Sequence, residues 1–210
     1  MIEKSYIKIR ISLEEEINHL YINHTEKTET LVVLYPGGKY TCDKPILHYI
    51  KKGALLKGHD VLCINYGSTL SDSDFSKKTR KAAKEAFRAI NKCREQKKYN
   101  RIIFAGKSIG TVISGKVSDM INDINIKHIF LTPIKYTIPF INKYGGPVII
   151  GSKDKVFGQE CIDIIQGNEN INIEIIKNAG HSLEVDDLEG TLNIHKYVVK
   201  ICDDYLGSKD

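Results

Sequence analysis

From residue 30 onward the chain falls into short, continuously apolar runs separated by longer segments in which apolar residues recur every three or four positions. Short unbroken apolar runs read as strands buried on both faces, and the 3.6-residue period between them reads as the helices that cover those faces. Strands are predicted at 30–35, 60–65, 101–105, 128–131, 147–151 and 171–176, and helices at 45–56, 72–97, 108–122, 156–166 and 188–206. The N-terminal part has a different texture: 6–11 alternates apolar and polar residues and 17–22 is a second β-rich segment, which predicts an antiparallel hairpin across 12–16. Strand and helix alternate, and each crossover must be right-handed for its helix to pack back on the sheet. The expected fold is therefore α/β, a doubly wound, mostly parallel sheet with an antiparallel N-terminal hairpin, its ligand chemistry at the carboxyl ends of the strands. No repeat, low-complexity tract or linker interrupts residues 1–210, so one domain is expected.

Composition changes this picture little. Hydrophobic residues make up 41% and charged residues 27%, the balance of a chain that folds throughout. The formal charge of +5 comes from 31 Lys and Arg against 26 Asp and Glu, with its local excess between Lys77 and Lys98. There Ala82, Ala83, Ala86, Phe87, Ile90 and Cys93 fall at helical spacing, so the basic residues occupy the opposite, solvated face. Neither a recognition motif nor interleaved aromatics accompany that charge, and no nucleic-acid partner is expected. The start of the chain lacks the apolar core of a secretory signal, and no run approaches the ~18 apolar residues of a membrane span. A cytoplasmic protein without a membrane partner is expected. The five cysteines, at 42, 63, 93, 161 and 202, form no C-x-x-C pair and no His-associated metal spacing. They read as reduced thiols, mostly in the core, with no metal site.

Chemistry concentrates at three strand-end loops. After the strand Arg-Ile-Ile-Phe-Ala comes Gly106-Lys107-Ser108-Ile109-Gly110, a G-x-S-x-G between a predicted strand and a predicted helix. In that context the turn holds Ser108 in a strained conformation with its hydroxyl exposed above the sheet. The helix that begins there supplies the N–H of Ile109 and a positive dipole end. A serine hydroxyl is barely acidic, so it needs an adjacent base, and the base needs a carboxylate to fix its tautomer. The apolar run ending at Gly151 puts Asp154 in the loop beyond it, either as that carboxylate or as the N-cap of a helix starting at Val156. The strand at 171–176 is followed by Asn178-Ala179-Gly180-His181-Ser182. Of the seven histidines, His19, His24 and His59 lie in or beside strands, His48 and His195 in helical patterns, and His128 starts a strand. His181 is the one in a strand-end loop. The order Ser108, Asp154, His181 is the chain order this architecture uses for nucleophile, acid and base.

A fourth loop, Tyr35-Pro36-Gly37-Gly38-Lys39-Tyr40, follows the first parallel strand. It is a tight turn, or a backbone that approaches substrate closely, so that the N–H of Gly38 or Lys39 joins that of Ile109 as an oxyanion hole. Together the Pro-Gly-Gly loop, the Gly-Lys-Ser-Ile-Gly elbow, the Gly-Ser-Lys-Asp turn and the Ala-Gly-His-Ser loop resemble the α/β-hydrolase superfamily over about residues 28–206. The first is similar to the Pro-Gly-Gly-Gly-Tyr or His-Gly-Gly-Gly loops of small esterases and dienelactone-hydrolase-like members, with Lys39 in place of the last glycine.

The resemblance implies a cofactor-free Ser-His-Asp hydrolase with an acyl-enzyme intermediate. Many members carry a lid after the sixth strand of the fold, whereas about 15 residues, 132–146, separate the corresponding strands here; a minimal cap or none is expected. A shallow site lined by some of Tyr40, Tyr66, Tyr136 and Phe140, each equally suited to core packing, would favour a small-molecule ester with a short acyl chain. The same triad would serve a thioester or a peptide, and the scaffold would also serve a binding module without turnover.

Overall fold

The computed structural model describes residues 1–208 of the chain. Two strands, β1 (Ile2–Arg10) and β2 (Glu16–His24), pair antiparallel from Ile2 opposite His24 to Arg10 opposite Glu16. The hairpin is longer at its open end than its alternation predicted, because exposed residues such as Glu3 and Lys4 continue the ladder, while β1 stops one residue short of Ile11 at the turn. The chain then enters β3 (Thr30–Tyr35), six residues all buried. It continues through α1 (Pro45–Leu56), β4 (Asp60–Cys63), α2 (Phe75–Gln96), β5 (Arg101–Lys107), α3 (Ile109–Ser118), β6 (Asn125–Leu131), α4 (Ile138–Tyr144), β7 (Gly146–Gly151), α5 (Gln159–Ile165), β8 (Ile171–Ile176) and α6 (Leu188–Gly207).

The described residues form one eight-stranded sheet in the order β1-β2-β4-β3-β5-β6-β7-β8, with β2 alone antiparallel to the rest. The fully apolar strands are those with a helix on each face. Leu31, Val33 and Tyr35 of β3 join one core with the small face of α2 (Ala82, Ala86, Ala89) and with Ile113 and Val117 of α3. The intervening Val32 and Leu34 join Ile46, Leu47 and Ile50 of α1 and Val198 and Cys202 of α6 on the opposite face. A third cluster seats Ile141 of α4 and Ile162 and Ile165 of α5 on Phe130, Val148 and Ile150. The basic face of α2 is solvated as expected. Two of its cations also close the open edge of the sheet, Arg88 donating to the carbonyl of Arg10 (3.0 Å) and Lys92 to that of Lys8 (2.7 Å), which blunts a strand edge otherwise free to pair with another chain.

Differences from the sequence-based bounds have local causes. The strand expected at 60–65 stops at Cys63, and the Asn65 N–H is taken by Nδ1 of His19 at 3.1 Å. β6 begins at Asn125, three residues before the expected start at His128, because Arg101 of β5 already pairs with Asn125. Residues 132–146, expected as a connection, hold a 3₁₀ turn at Lys135–Thr137 and the seven residues of α4. No lid is inserted there.

β3 turns out to one side through α1 and β4, and the chain then crosses to β5 on the other side of β3. The loops leaving β3 and β5 therefore emerge side by side at the point where the strand order reverses, the crevice in which ligands of open α/β sheets bind. Register fixes their heights: Tyr35 pairs with Gly106, Lys107 with Leu131, and Gly151 with Ile176.

Candidate active site

Ser108 follows the last residue of β5 and has φ 53° and ψ −122°, a region that a side chain bearing Cβ occupies only when its surroundings hold it there. Three sets of contacts do so. The Ser108 N–H donates to the carbonyl of Leu131 (3.0 Å), the Ser108 carbonyl accepts from the N–H (3.0 Å) and the hydroxyl (2.5 Å) of Thr111, and the Thr111 hydroxyl meets that of Thr137 at 2.6 Å. Gly110 lets the first turn of α3 press onto the end of β3: a Cβ there would lie 2.2 Å from the carbonyl oxygen of Tyr35.

Gly151 plays the same part on the other side of the site. A Cβ on it would stand 2.2 Å from the Ala179 carbonyl oxygen, so its absence lets the loop after β8 lie on the end of β7. The Lys153 N–H donates to Ala179 (2.9 Å) and the Asn178 N–H to the Ser152 hydroxyl (2.8 Å). These ties bring Asp154 and His181 together. His181 Nδ1 stands 2.8 Å from Asp154 Oδ2, and its Nε2 stands 2.9 Å from Ser108 Oγ.

Both sequence-based readings of Asp154 find an oxygen. Oδ2 faces His181, while Oδ1 accepts the N–H of Val156 (2.8 Å) and of Phe157 (3.4 Å). That turn holds 156–157 outside the helix, which starts after Gly158 rather than at Val156. Burial pushes the Asp154 carboxyl up, but the hydrogen bonds from His181 and Val156 outweigh it and hold the group below its ordinary range. It is an anion, packed under a histidine, with no ammonium in hydrogen-bond contact.

The 36–40 loop forms a bridge between Gly37 and Tyr40. Gly37 is the member closest to the serine: a Cβ there would come within 3.5 Å of Ser108 Cβ, whereas one on Gly38 would meet nothing within 4 Å. Gly38 thus faces open space, and Ile109 is the first residue of α3. A cleft of about 480 Å³ lies on the β4 side of this loop, walled by Gly38, Lys39, Tyr40, Tyr66 and Leu70. It abuts the serine through Gly37.

The four aromatics named from sequence are not gathered in one pocket. Tyr40 and Tyr66 border the cleft, with the Tyr66 hydroxyl donating to the carbonyl of Pro36 (3.2 Å) and the Tyr40 oxygen accepting the Ile46 N–H (3.1 Å). Tyr136 stacks on Phe75 at the surface, and Phe140 fills the contact between α4 and α3 that the absent side chain of Gly115 leaves open.

Two residues of the site were missed. Lys107, one residue before the serine, is buried; its ammonium donates to Thr132 Oγ1 (2.8 Å) and to the carbonyl of His181 (3.1 Å), and lies 4.9 Å from the centre of the Tyr40 ring. Thr132, also buried, has φ 39° and bonds back to Ile149 through its N–H (2.7 Å). The available signal was a lysine directly after the apolar run Ile-Ile-Phe-Ala-Gly at 102–106.

Among the described residues no group of three or more His, Cys, Asp or Glu is arranged to hold a metal, the five cysteines are unpaired, and no helix is long and apolar enough to cross a membrane.

No family model matches the chain, and no curated protein sequence matches it. Solved structures do. An alpha-beta serine hydrolase homologue from Coxiella burnetii superposes with a TM-score of 0.67 at 12% identity over 93% of this chain and 96% of that one. An esterase from Pyrococcus furiosus superposes at 0.63 and 14% over 96% and 94%, and a dienelactone hydrolase from Anabaena variabilis at 0.62 and 10% over 95% and 96%. The chain has the α/β-hydrolase fold.

Proposed function

We propose that this chain is a serine hydrolase that cleaves a small or short-chain carboxylic ester through an acyl-enzyme intermediate. Ser108 is the nucleophile, His181 the base and then the acid, and Asp154 the orienting carboxylate. The observation that carries this reading is the unbroken hydrogen-bonded series from Ser108 Oγ through His181 to Asp154, at 2.9 and 2.8 Å, on a serine held at positive φ.

As Oγ attacks the ester carbonyl, His181 Nε2 takes its proton, and the Asp154 anion stabilises the imidazolium that forms. The N–H of Ile109 and one from Gly38 or Lys39 bind the oxyanion. The imidazolium then gives its proton to the departing alkoxide, and water repeats the sequence to release the acid. The substrate size follows from the lack of a lid between β6 and β7 and from the modest cleft beside Tyr40 and Tyr66. The esterase and dienelactone hydrolase among the superposed structures weigh in the same direction, as do the unpaired cysteines for a reducing, cytoplasmic setting.

Hydrolysis of p-nitrophenyl acetate, butyrate and octanoate, with intact-mass analysis after fluorophosphonate treatment, tests this. Turnover of the shorter esters and a single adduct, both absent in Ser108→Ala, are expected. A wild type that neither turns over an ester nor takes the label overturns the assignment in favour of a ligand-binding role on this scaffold. Thioester and anilide substrates in the same assay rank the leaving groups.

A further inference from the structure

The loop that carries His181 is held away from its relaxed conformation. Asn178 and Leu183, on either side of the histidine, both have φ of 63°, and non-glycine residues keep such a backbone only when the surroundings over-determine it. The ties described so far run to the acid side, through Ser152 and Lys153 beside Asp154. They fix His181 against its carboxylate. They do not fix it against the serine, which sits on a different strand.

The contact that spans this gap is Lys107. It is the residue before Ser108 on β5, and its ammonium is anchored at one end by Thr132 at the tip of β6 and at the other by the carbonyl of His181 itself. The Tyr40 ring covers it from the side of the 36–40 loop. We propose, resting on the triad reading above, that Lys107 is a positioning residue whose ammonium ties the His181 backbone to the nucleophile's strand and so sets the Ser108–His181 separation.

The surroundings suit that role. Lys107 and Thr132 are both buried, so this contact persists where an exposed one would exchange with water. Burial pulls the lysine down to about 8, against the upward pull of Asp154 and Glu184, so the ammonium still predominates at neutral pH. Lys107 touches neither the scissile bond nor the serine hydroxyl; its effect passes through His181.

The test uses Lys107→Met, which keeps the length of the stem without the donor, together with the pair Thr132→Val and Thr132→Ser. The readouts are steady-state ester hydrolysis, the rate of fluorophosphonate labelling of Ser108, and cooperative unfolding. In Lys107→Met, kcat and the labelling rate fall by about 10², the penalty for misplacing a reacting group by about an ångström, while KM is unchanged. Thr132→Val falls in the same sense, and Thr132→Ser, which restores the acceptor, returns to wild-type rates. A merely structural role would lower stability and leave the rate per folded molecule intact.

A folded Lys107→Met that labels at the wild-type rate, or a Thr132→Val indistinguishable from Thr132→Ser, overturns the proposal. If Lys107→Met does not fold, the threonine pair decides. Ser108→Ala run alongside separates the two levels: an adduct on that variant overturns the triad, whereas its loss together with an unaffected Lys107→Met overturns the tie alone.

Discussion

Among the described residues two buried aspartates are paired with a histidine, at opposite edges of the same sheet. At the carboxyl edge Asp154 meets His181 Nδ1 at 2.8 Å. At the amino edge Asp60, the first residue of β4, meets His24 Nδ1 at 3.2 Å. The neighbours differ. Asp60 also accepts from the Lys97 ammonium (3.0 Å), the Tyr99 hydroxyl (2.7 Å) and the His24 N–H (2.8 Å), and the Tyr21 hydroxyl lies 3.5 Å away. Its charge is already matched by the Lys97 ammonium. Asp154 accepts two backbone N–H groups and faces the histidine, with the Lys107 ammonium acting on it only through space, and on the proposed mechanism it stabilises the imidazolium that a reaction creates. On that reading an Asp–His pair serves chemistry when no cation is hydrogen-bonded to its carboxylate at rest and a strained serine stands on the other ring nitrogen.

The largest contrast comes from breaking each pair at its far end. Ser108→Ala or His181→Ala should lower kcat by about 10⁶, as removal of either does in triad enzymes, with urea unfolding little changed. His24→Ala should leave ester turnover per folded molecule at the wild-type value and shift only the unfolding curve. The matched aspartate exchanges sharpen this. Asp154→Asn should cost about 10⁴ in kcat by holding the wrong tautomer. Asp60→Asn should leave kcat intact and lower stability by about 3 kcal/mol, the lower end for breaking a buried ion pair, because Lys97 keeps some contact with water. Activity loss in Asp60→Asn without loss of stability would erase the distinction between the two edges.

Acid should expose a feature the two aspartates share. Burial pushes Asp60 up, but the His24 N–H, Tyr99 and Lys97 outweigh it and hold the group below its ordinary 3.8; Asp154 is also held below 3.8. A carboxyl lowered in the folded state binds fewer protons there than in the unfolded chain. Its stabilisation is complete above the unfolded value and is lost as pH falls through the folded one. Urea stability of the wild type should therefore decline below about pH 4, and Asp60→Asn should show a shallower decline because one of the two contributions is gone.

The carboxyl edge was legible in the sequence where a local pattern carried the information. The apolar run 30–35 and the Pro-led helix 45–56 have the observed bounds of β3 and α1, and Ser108, Asp154 and His181 each stood in a loop after such a run. The amino edge was not legible. Asp60, Lys97, Tyr99, Tyr21 and His24 come from three separate segments, each unremarkable alone, and strand order rather than spacing brings them together. Lys107 and α4 were missed for related reasons. The lysine's role depends on the strand beside it, and α4 is seven residues long, too short for its period to stand out from a loop. Tyr136 and Phe140 were placed by residue type without knowledge of α4, which directs Phe140 onto α3.

The finest test lies within the amino edge and grades its hydrogen bonds. The Tyr99 hydroxyl reaches the Asp60 anion at 2.7 Å, whereas Tyr21 is 3.5 Å from the carboxylate and has the Tyr99 hydroxyl as its close partner. A hydrogen bond to a charged acceptor contributes about 1.5–3 kcal/mol and a neutral one about 0.5–1.5. Tyr99→Phe should therefore lower stability by about 2 kcal/mol and Tyr21→Phe by about 1, neither with any effect on ester turnover. Losing Tyr99 also leaves the buried Tyr21 hydroxyl with only the long contact to Asp60, so the double variant should be less destabilised than the sum of the singles. Strict additivity would mean that the two phenols do not share one proton-ordered network around Asp60 and that each acts on its surroundings independently.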